Sequence, residues 1–114
     1  MSFVNPSPAQ AWLLLAIAGV LEIVWAVGMK FTDGFSRPLP SALVLAVALA
    51  SFALLGLAMN ALPAGTAYAA WVGIGAAGAM LAGIVLFSEP ATMLRIGCVA
   101  LIVAGVVGLK FADG

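Results

Sequence analysis

The stretch AQAWLLLAIAGVLEIVWAVGM, residues 9–29, reads as one helix in lipid. A helical crossing of a bilayer needs roughly 20 apolar residues, and this run supplies that length with a single ionisable side chain, Glu22. The rest of the chain repeats the pattern. Of 114 residues, 66% are hydrophobic and 7% charged, with a mean hydropathy of +1.29. Soluble domains average about half apolar and about a quarter charged, so in water this composition would expose aliphatic side chains over most of its surface. Lipid is the solvent that suits it. Breaks rich in Gly, Pro and charge, of the kind that end helices, divide the chain into four spans at about 9–29, 39–62, 66–87 and 92–111. The predicted fold is an all-α integral membrane protein, one four-helix transmembrane domain over residues 1–114, with sequence neighbours packed antiparallel because the connections are short.

Several function classes fall away. A net charge of zero with scattered charges offers no basic patch for nucleic acid. A single cysteine, Cys98, makes no intrachain disulfide, and a chain without His lacks the usual metal clusters, so no metal or organic cofactor is expected. Cys98 itself reads as a small core residue of the fourth span. Residues 1–10 carry no Lys or Arg, and the apolar run that follows shows no cleavage site, so the first span is expected to be retained. Lys30, Arg37 and Arg95 gather on one side of the membrane and Lys110 on the other, a weak orientation bias under the positive-inside rule. The span ends AVGMKFTDG, residues 26–34, and VVGLKFADG, residues 106–114, resemble each other and should lie on opposite faces. One lysine then offsets the other, and insertion either way up becomes less costly.

Seven of the eight charged residues fall in or beside loops; Glu22 does not. It stands roughly 18 Å along the helix from Gln10 at 1.5 Å per residue, near the bilayer midplane, where an ionisable side chain costs at least about 2.5–3.5 kcal/mol and by default marks an ion path or a proton relay. No Lys or Arg lies near the middle of any span to pair with it. Burial disfavours the carboxylate and a bound cation favours it, so a site that must choose between a proton and a cation is the minimal chemistry of an exchanger. Around it, Gly19, Trp25 and Met29 follow helical spacing on one face: Gly19 is expected to clear space and Trp25 to roof the carboxylate. In the third span Tyr68 and Trp71 share a face and offer rings to a cation, and Ser51, a hydroxyl near mid-membrane in the second span, is placed to orient Glu22. Each alone has an ordinary alternative, as an interface anchor or a packing residue; the convergence carries the reading.

One carboxylate in a small four-helix protomer neutralises one charge, and transporter sites lie between two related halves. The second half is therefore expected to be a second copy of the chain. The fourth span presents Gly97, Ala104, Gly105 and Gly108, with Ala104 and Gly108 in small-xxx-small spacing, and is assigned to dimer contacts.

Three segments carry a family resemblance. GVLEIVWAVGMK at residues 19–30, PAGTAYAAWVGIG at 63–75 and GVVGLK at 105–110 resemble the small multidrug resistance transporters, and the resemblance covers the chain apart from about its first eight residues. Gly19 three before the glutamate and Trp25 three after it are similar to the guanidinium-exporting branch and not to the quaternary-ammonium branch. The resemblance implies a dual-topology, antiparallel homodimer in a bacterial inner membrane. It implies export of guanidinium, or a small guanidinyl cation, against protons, with both copies of Glu22 in one site. By position, it implies that Ser51 and Trp25 hydrogen-bond and order the glutamates, and that Tyr68 and Trp71 form the pocket and couple its opening. Val72 departs from the pattern, which often has Thr there. The alternatives are a broader exporter of quaternary ammonium drugs and a membrane subunit that transports nothing.

Overall fold

The computed structural model describes residues 5–113. Helix α1, Pro8–Gly28, opens on a capping box: the Ser7 hydroxyl accepts from the Gln10 N–H at 3.2 Å, and the Gln10 side-chain oxygen accepts from the Ser7 N–H at 2.9 Å. Pro8 fills the first helical position, where a missing N–H costs nothing. The helix tightens into a 3-10 turn over Met29–Thr32 and stops where Asp33, Gly34 and Phe35 turn left-handed. Thr32 pins that turn, donating to the Met29 carbonyl at 2.8 Å and accepting from the Phe35 N–H at 3.1 Å. Helix α2 is Pro38–Ala58, α3 is Ala64–Phe87 and α4 is Met93–Asp113. All four helices are long and apolar enough to cross a bilayer.

The ends differ from the sequence reading by a few residues. Helix α2 stops at Ala58, short of Leu62, and a turn follows in which the Leu62 N–H reaches the Ala58 carbonyl. Pro63 explains both this end and the early start of α3, since it disfavours helical geometry in the residue before it and leads straight into the helix at Ala64.

Helix α1 is the centre of the packing, with α2 and α3 against it and α4 against α3. The expectation that all sequence neighbours pack together holds for α1 with α2 and α3 with α4. It fails for α2 and α3, which touch only sparsely because α1 takes the face that each would offer the other. Lipid gives helices no hydrophobic drive to associate, so close approach of small residues does the work. Gly78 lies under Ile23, Gly28 beside Val44, and Gly73 under Val106; a Cβ at any of these would collide with or press on its neighbour.

The two ends of the bundle are tied differently. Lys30 pairs with Glu89 at 3.8 Å, and Phe31 meets Phe87 with ring centroids 5.8 Å apart, so the first and third connections share one end. At the other end the Thr66 hydroxyl donates to Asp113 at 2.6 Å, and the Lys110 ammonium stands 5.6 Å from the Trp12 ring centre. Lys30 and Lys110 thus lie at opposite ends, as their sequence positions required. Cys98 is exposed, against the expectation of a core residue: α4 touches the bundle through Val99, Ile102 and Val106, and Cys98 falls on another face. Gly97, Gly105 and Gly108 have open space where a Cβ would be, and Ala104 is exposed.

Candidate functional site

Glu22 lies two residues past the centre of the span Pro8–Thr32, on the α1 face that meets α3. Its carboxylate rests over Gly75, where any Cβ would overlap it. Oε1 is buried without a hydrogen-bond partner. The ion pairs among the described residues belong to Glu89, held by Lys30 and by Arg95 at 3.4 Å, and Glu22 takes part in neither. Three residues on, the Trp25 indole N–H is also buried and unpartnered. Buried polar atoms are nearly always satisfied, so two orphans on adjoining turns mark a place built for something else.

Ser51 is wholly buried, but it does not touch Glu22. Its hydroxyl donates to the Ala18 carbonyl at 2.7 Å and accepts from the Trp71 indole N–H at 2.9 Å. A hydroxyl has one proton to give, and here it is spent on the backbone. Within one protomer, then, Ser51 does not hydrogen-bond the carboxylate. Ala18 is the helical acceptor for the Glu22 N–H, so Ser51 fixes the turn that carries Glu22 and, through the same oxygen, the rotamer of Trp71. Gly19 also differs from its expected part. The space where a Cβ would be is filled by Ile74, so Gly19 lets α3 come down onto α1.

The aromatic residues form a continuous row. Trp25 meets Phe52 edge-on at 6.1 Å, Phe52 meets Trp71 edge-on at 5.5 Å, and Trp71 meets Tyr68 at 5.7 Å. Trp71 is buried and Tyr68 is 55% exposed, so the pair shares a contact but not an environment. Phe52 joins the two tryptophans and was absent from the sequence reading. The available signal was its place next to Ser51, as the one aromatic in a helix otherwise made of Ala, Leu, Val, Gly, Ser and Pro. Beside Trp25 an apolar groove of about 330 Å³ opens between α1 and α2, lined by Val24, Gly28, Phe31, Leu43 and Val47 among others. Among the described residues no group of His, Cys, Asp or Glu is arranged to hold a metal ion.

Chemically, a carboxylate oxygen with no protein donor accepts either a proton or the N–H of a cation, and an unpaired indole N–H beside it adds direction. Phe52 and Tyr68 keep exposed faces from which flat rings can approach the same ligand.

Comparison with known proteins follows the same line. Residues 10–102 match the family model described as Small Multidrug Resistance protein. Similar relatives include a protein of Escherichia coli (strain K12) named "Guanidinium exporter", 54% identical over 103 residues, which are 90% of this chain and 98% of the relative. Proteins of the same name from Yersinia pestis and Citrobacter freundii are 54% identical over 104 residues and 51% identical over 103, covering 100% and 98% of those relatives and 91% and 90% of this chain.

Proposed function

Because the chain belongs to the Small Multidrug Resistance family and is a multi-pass membrane protein with one orphaned carboxylate inside its bundle, we propose that it exports guanidinium ion in exchange for protons. The observation that carries the reading is the buried, unpartnered Oε1 of Glu22 in a chain whose similar relatives bear the name guanidinium exporter.

Guanidinium is planar and presents parallel N–H pairs that match a carboxylate in bidentate fashion. It is weakly hydrated compared with an ammonium, so stripping its water in a small site is less costly. Glu22 takes either the proton or the cation, and that exclusion couples the two fluxes. The row Trp25, Phe52, Trp71 and Tyr68 supplies ring faces for the cation, and Ser51 holds Trp71 in place. A second copy of the chain, inserted the opposite way up in the bacterial inner membrane, completes the site. The exposed small residues Gly97, Ala104, Gly105 and Gly108 of α4 make the contact, and the two Glu22 side chains titrate as a coupled pair. Exchange of roles between two inequivalent copies opens the site to one face at a time. The protein is a transporter and not an enzyme.

A second reading rests on the groove beside Trp25, whose apolar lining suits the bulk of a quaternary ammonium cation. The test for both is the current evoked by guanidinium from purified protein in liposomes on a solid-supported membrane, with Glu22→Gln and a tetraalkylammonium ion in parallel. The expected result is a guanidinium current that Glu22→Gln abolishes. A tetraalkylammonium current of equal size favours the broader exporter, and no current for either cation overturns the transport reading.

A further inference from the structure

Helices α1 and α4 both pack on α3 but scarcely on each other, and the space left between them is an apolar groove of about 360 Å³. Trp12 and Ala16 of α1, Ile74 of α3, and Val106, Val107 and Lys110 of α4 wall it. Trp12 stands just inside the start of α1 and Lys110 just before the end of α4, so one end of the groove lies at the membrane surface. Ala16 and Val106 lie about 6 Å deeper, at 1.5 Å per residue.

The second copy proposed above leaves this groove open. At about 100° per residue, Val106 and Lys110 stand roughly 200–240° round the helix from Ala104, away from the small-residue stripe proposed for the dimer contact. Lipid is what reaches the groove, and its rim selects which lipid. The stem of Lys110 forms part of the wall, while its ammonium stands 5.6 Å from the Trp12 ring centre; a lysine near a span end carries its charge to the headgroup level in this way. An ammonium only donates, so its complement is an anionic oxygen. The next carboxylate along α4, Asp113, is held toward α3 by the Thr66 hydroxyl at 2.6 Å, and α2 and α3 carry no charged side chain. An apolar wall with a cation at its rim matches an acyl chain with a phosphate above it. A zwitterionic headgroup brings its own ammonium, which competes with Lys110 for that phosphate; an anionic one does not.

We propose that the α1–α4 groove binds one anionic phospholipid, with an acyl chain along Ile74 and Val106 and the phosphate at the Lys110 ammonium. The chain fills the gap that neither helix closes and so steadies α4, which the protomer otherwise holds from one side only. The inference does not depend on the transport reading.

Tryptophan fluorescence of the purified protein in vesicles tests it, because bromine atoms on a lipid chain quench an indole they approach. Brominated phosphatidylglycerol or brominated phosphatidylcholine replaces increasing fractions of unbrominated phosphatidylcholine, and subtracting the signal of Trp12→Phe leaves the part due to Trp12. Phosphatidylglycerol is expected to bind about fivefold more tightly than phosphatidylcholine, the weight of one lysine near an anionic surface. Lys110→Gln keeps most of the stem and should bring the two lipids within about twofold of each other once the charge is gone. Ala16→Leu touches no charge, and its added branches occupy the space of the chain, so quenching of Trp12 by either lipid should fall at least about twofold in so closely filled a groove. Equal binding of the two lipids by the parent overturns the site. A preference lost in Lys110→Gln but quenching unchanged in Ala16→Leu means surface attraction without a groove, which also overturns it. A Trp12 signal that neither lipid quenches means that a second copy covers the groove, and the proposal fails.

Discussion

Ser51→Ala removes one oxygen and two interhelical hydrogen bonds, and the structure assigns a cost to each. On the α1 side, the Ala18 carbonyl keeps its helical partner, so the loss is that of an ordinary net hydrogen bond, about 0.5–1.5 kcal/mol. On the α3 side, the Trp71 indole N–H, in a residue only 6% exposed, is left without an acceptor. An orphaned buried donor costs about 1–3 kcal/mol in water-soluble proteins. Interhelical hydrogen bonds inside membranes average nearer 0.6 kcal/mol, with a maximum of about 1.7, because unfolded helices in lipid also find partners. Scaling both bonds to the membrane values gives a loss of about 1–3 kcal/mol. Reversible unfolding in mixed micelles by SDS titration measures it. A double-mutant cycle with Trp71→Phe isolates the Ser51–Trp71 bond, and a coupling of about 0.6–1.7 kcal/mol is expected. A strictly additive cycle would refute the assignment of Ser51 as the holder of Trp71.

Three further outcomes follow from contacts already described. Gly75→Ala drives a methyl into the space of the Glu22 carboxylate, so guanidinium current should fall at least about tenfold, as misplacement of a positioned group commonly costs, while the purified variant still elutes as a folded species. Phe52→Ala breaks the link between Trp25 and Trp71; the apparent affinity for guanidinium should weaken by more than the loss of one aromatic pair, about 0.5–1.5 kcal/mol, read from the concentration dependence of the current. Gly105→Leu meets open space within the chain, so it should leave protomer unfolding unchanged and reduce energy transfer between donor- and acceptor-labelled copies in liposomes; undiminished transfer would remove α4 from the proposed contact.

The fold was legible because lipid enforces a simple grammar. Every span must satisfy its own backbone, so length and hydropathy alone locate the helices, and Pro, Gly and charge mark their ends. Glu22 was legible for the same reason, as the charge that lipid should not tolerate. Partners across helices were not legible. Ser51 reads in sequence as a hydroxyl free to serve any acceptor, and only the approach of α1 shows that its proton goes to Ala18. Gly19 reads as space beside a carboxylate until Ile74 fills it. Phe52 has only its place beside Ser51 to mark it, since in a helix apolar on every side periodicity cannot separate a face toward lipid from one toward protein. The same blindness placed Cys98 in a core.

Packing along α1 changes at the site itself. Its buried residues are Ala11, Trp12, Leu14, Leu15, Ala18 and Gly19, all before Glu22. All but Gly19 join Leu55, Ala58, Leu62, Ala67, Ala70 and Trp71 in one cluster toward the end that holds Thr66 and Asp113. From Val24 onward α1 borders grooves toward both α2 and α3, and its far end is secured by Phe31, Lys30 and the long contact to Glu89. Regions with few buried apolar contacts open at low free energy, and the elements that move on binding are drawn from them. The Ala18–Ser51–Trp71 hydrogen bonds mark the last firm tie before that looser half begins. Glu22 therefore sits at the junction between a closely packed half-bundle and a more loosely packed one. A ligand shifts a conformational equilibrium only by its differential affinity for the two states, and a group at that junction is where a proton and a cation would differ most in the geometry each favours.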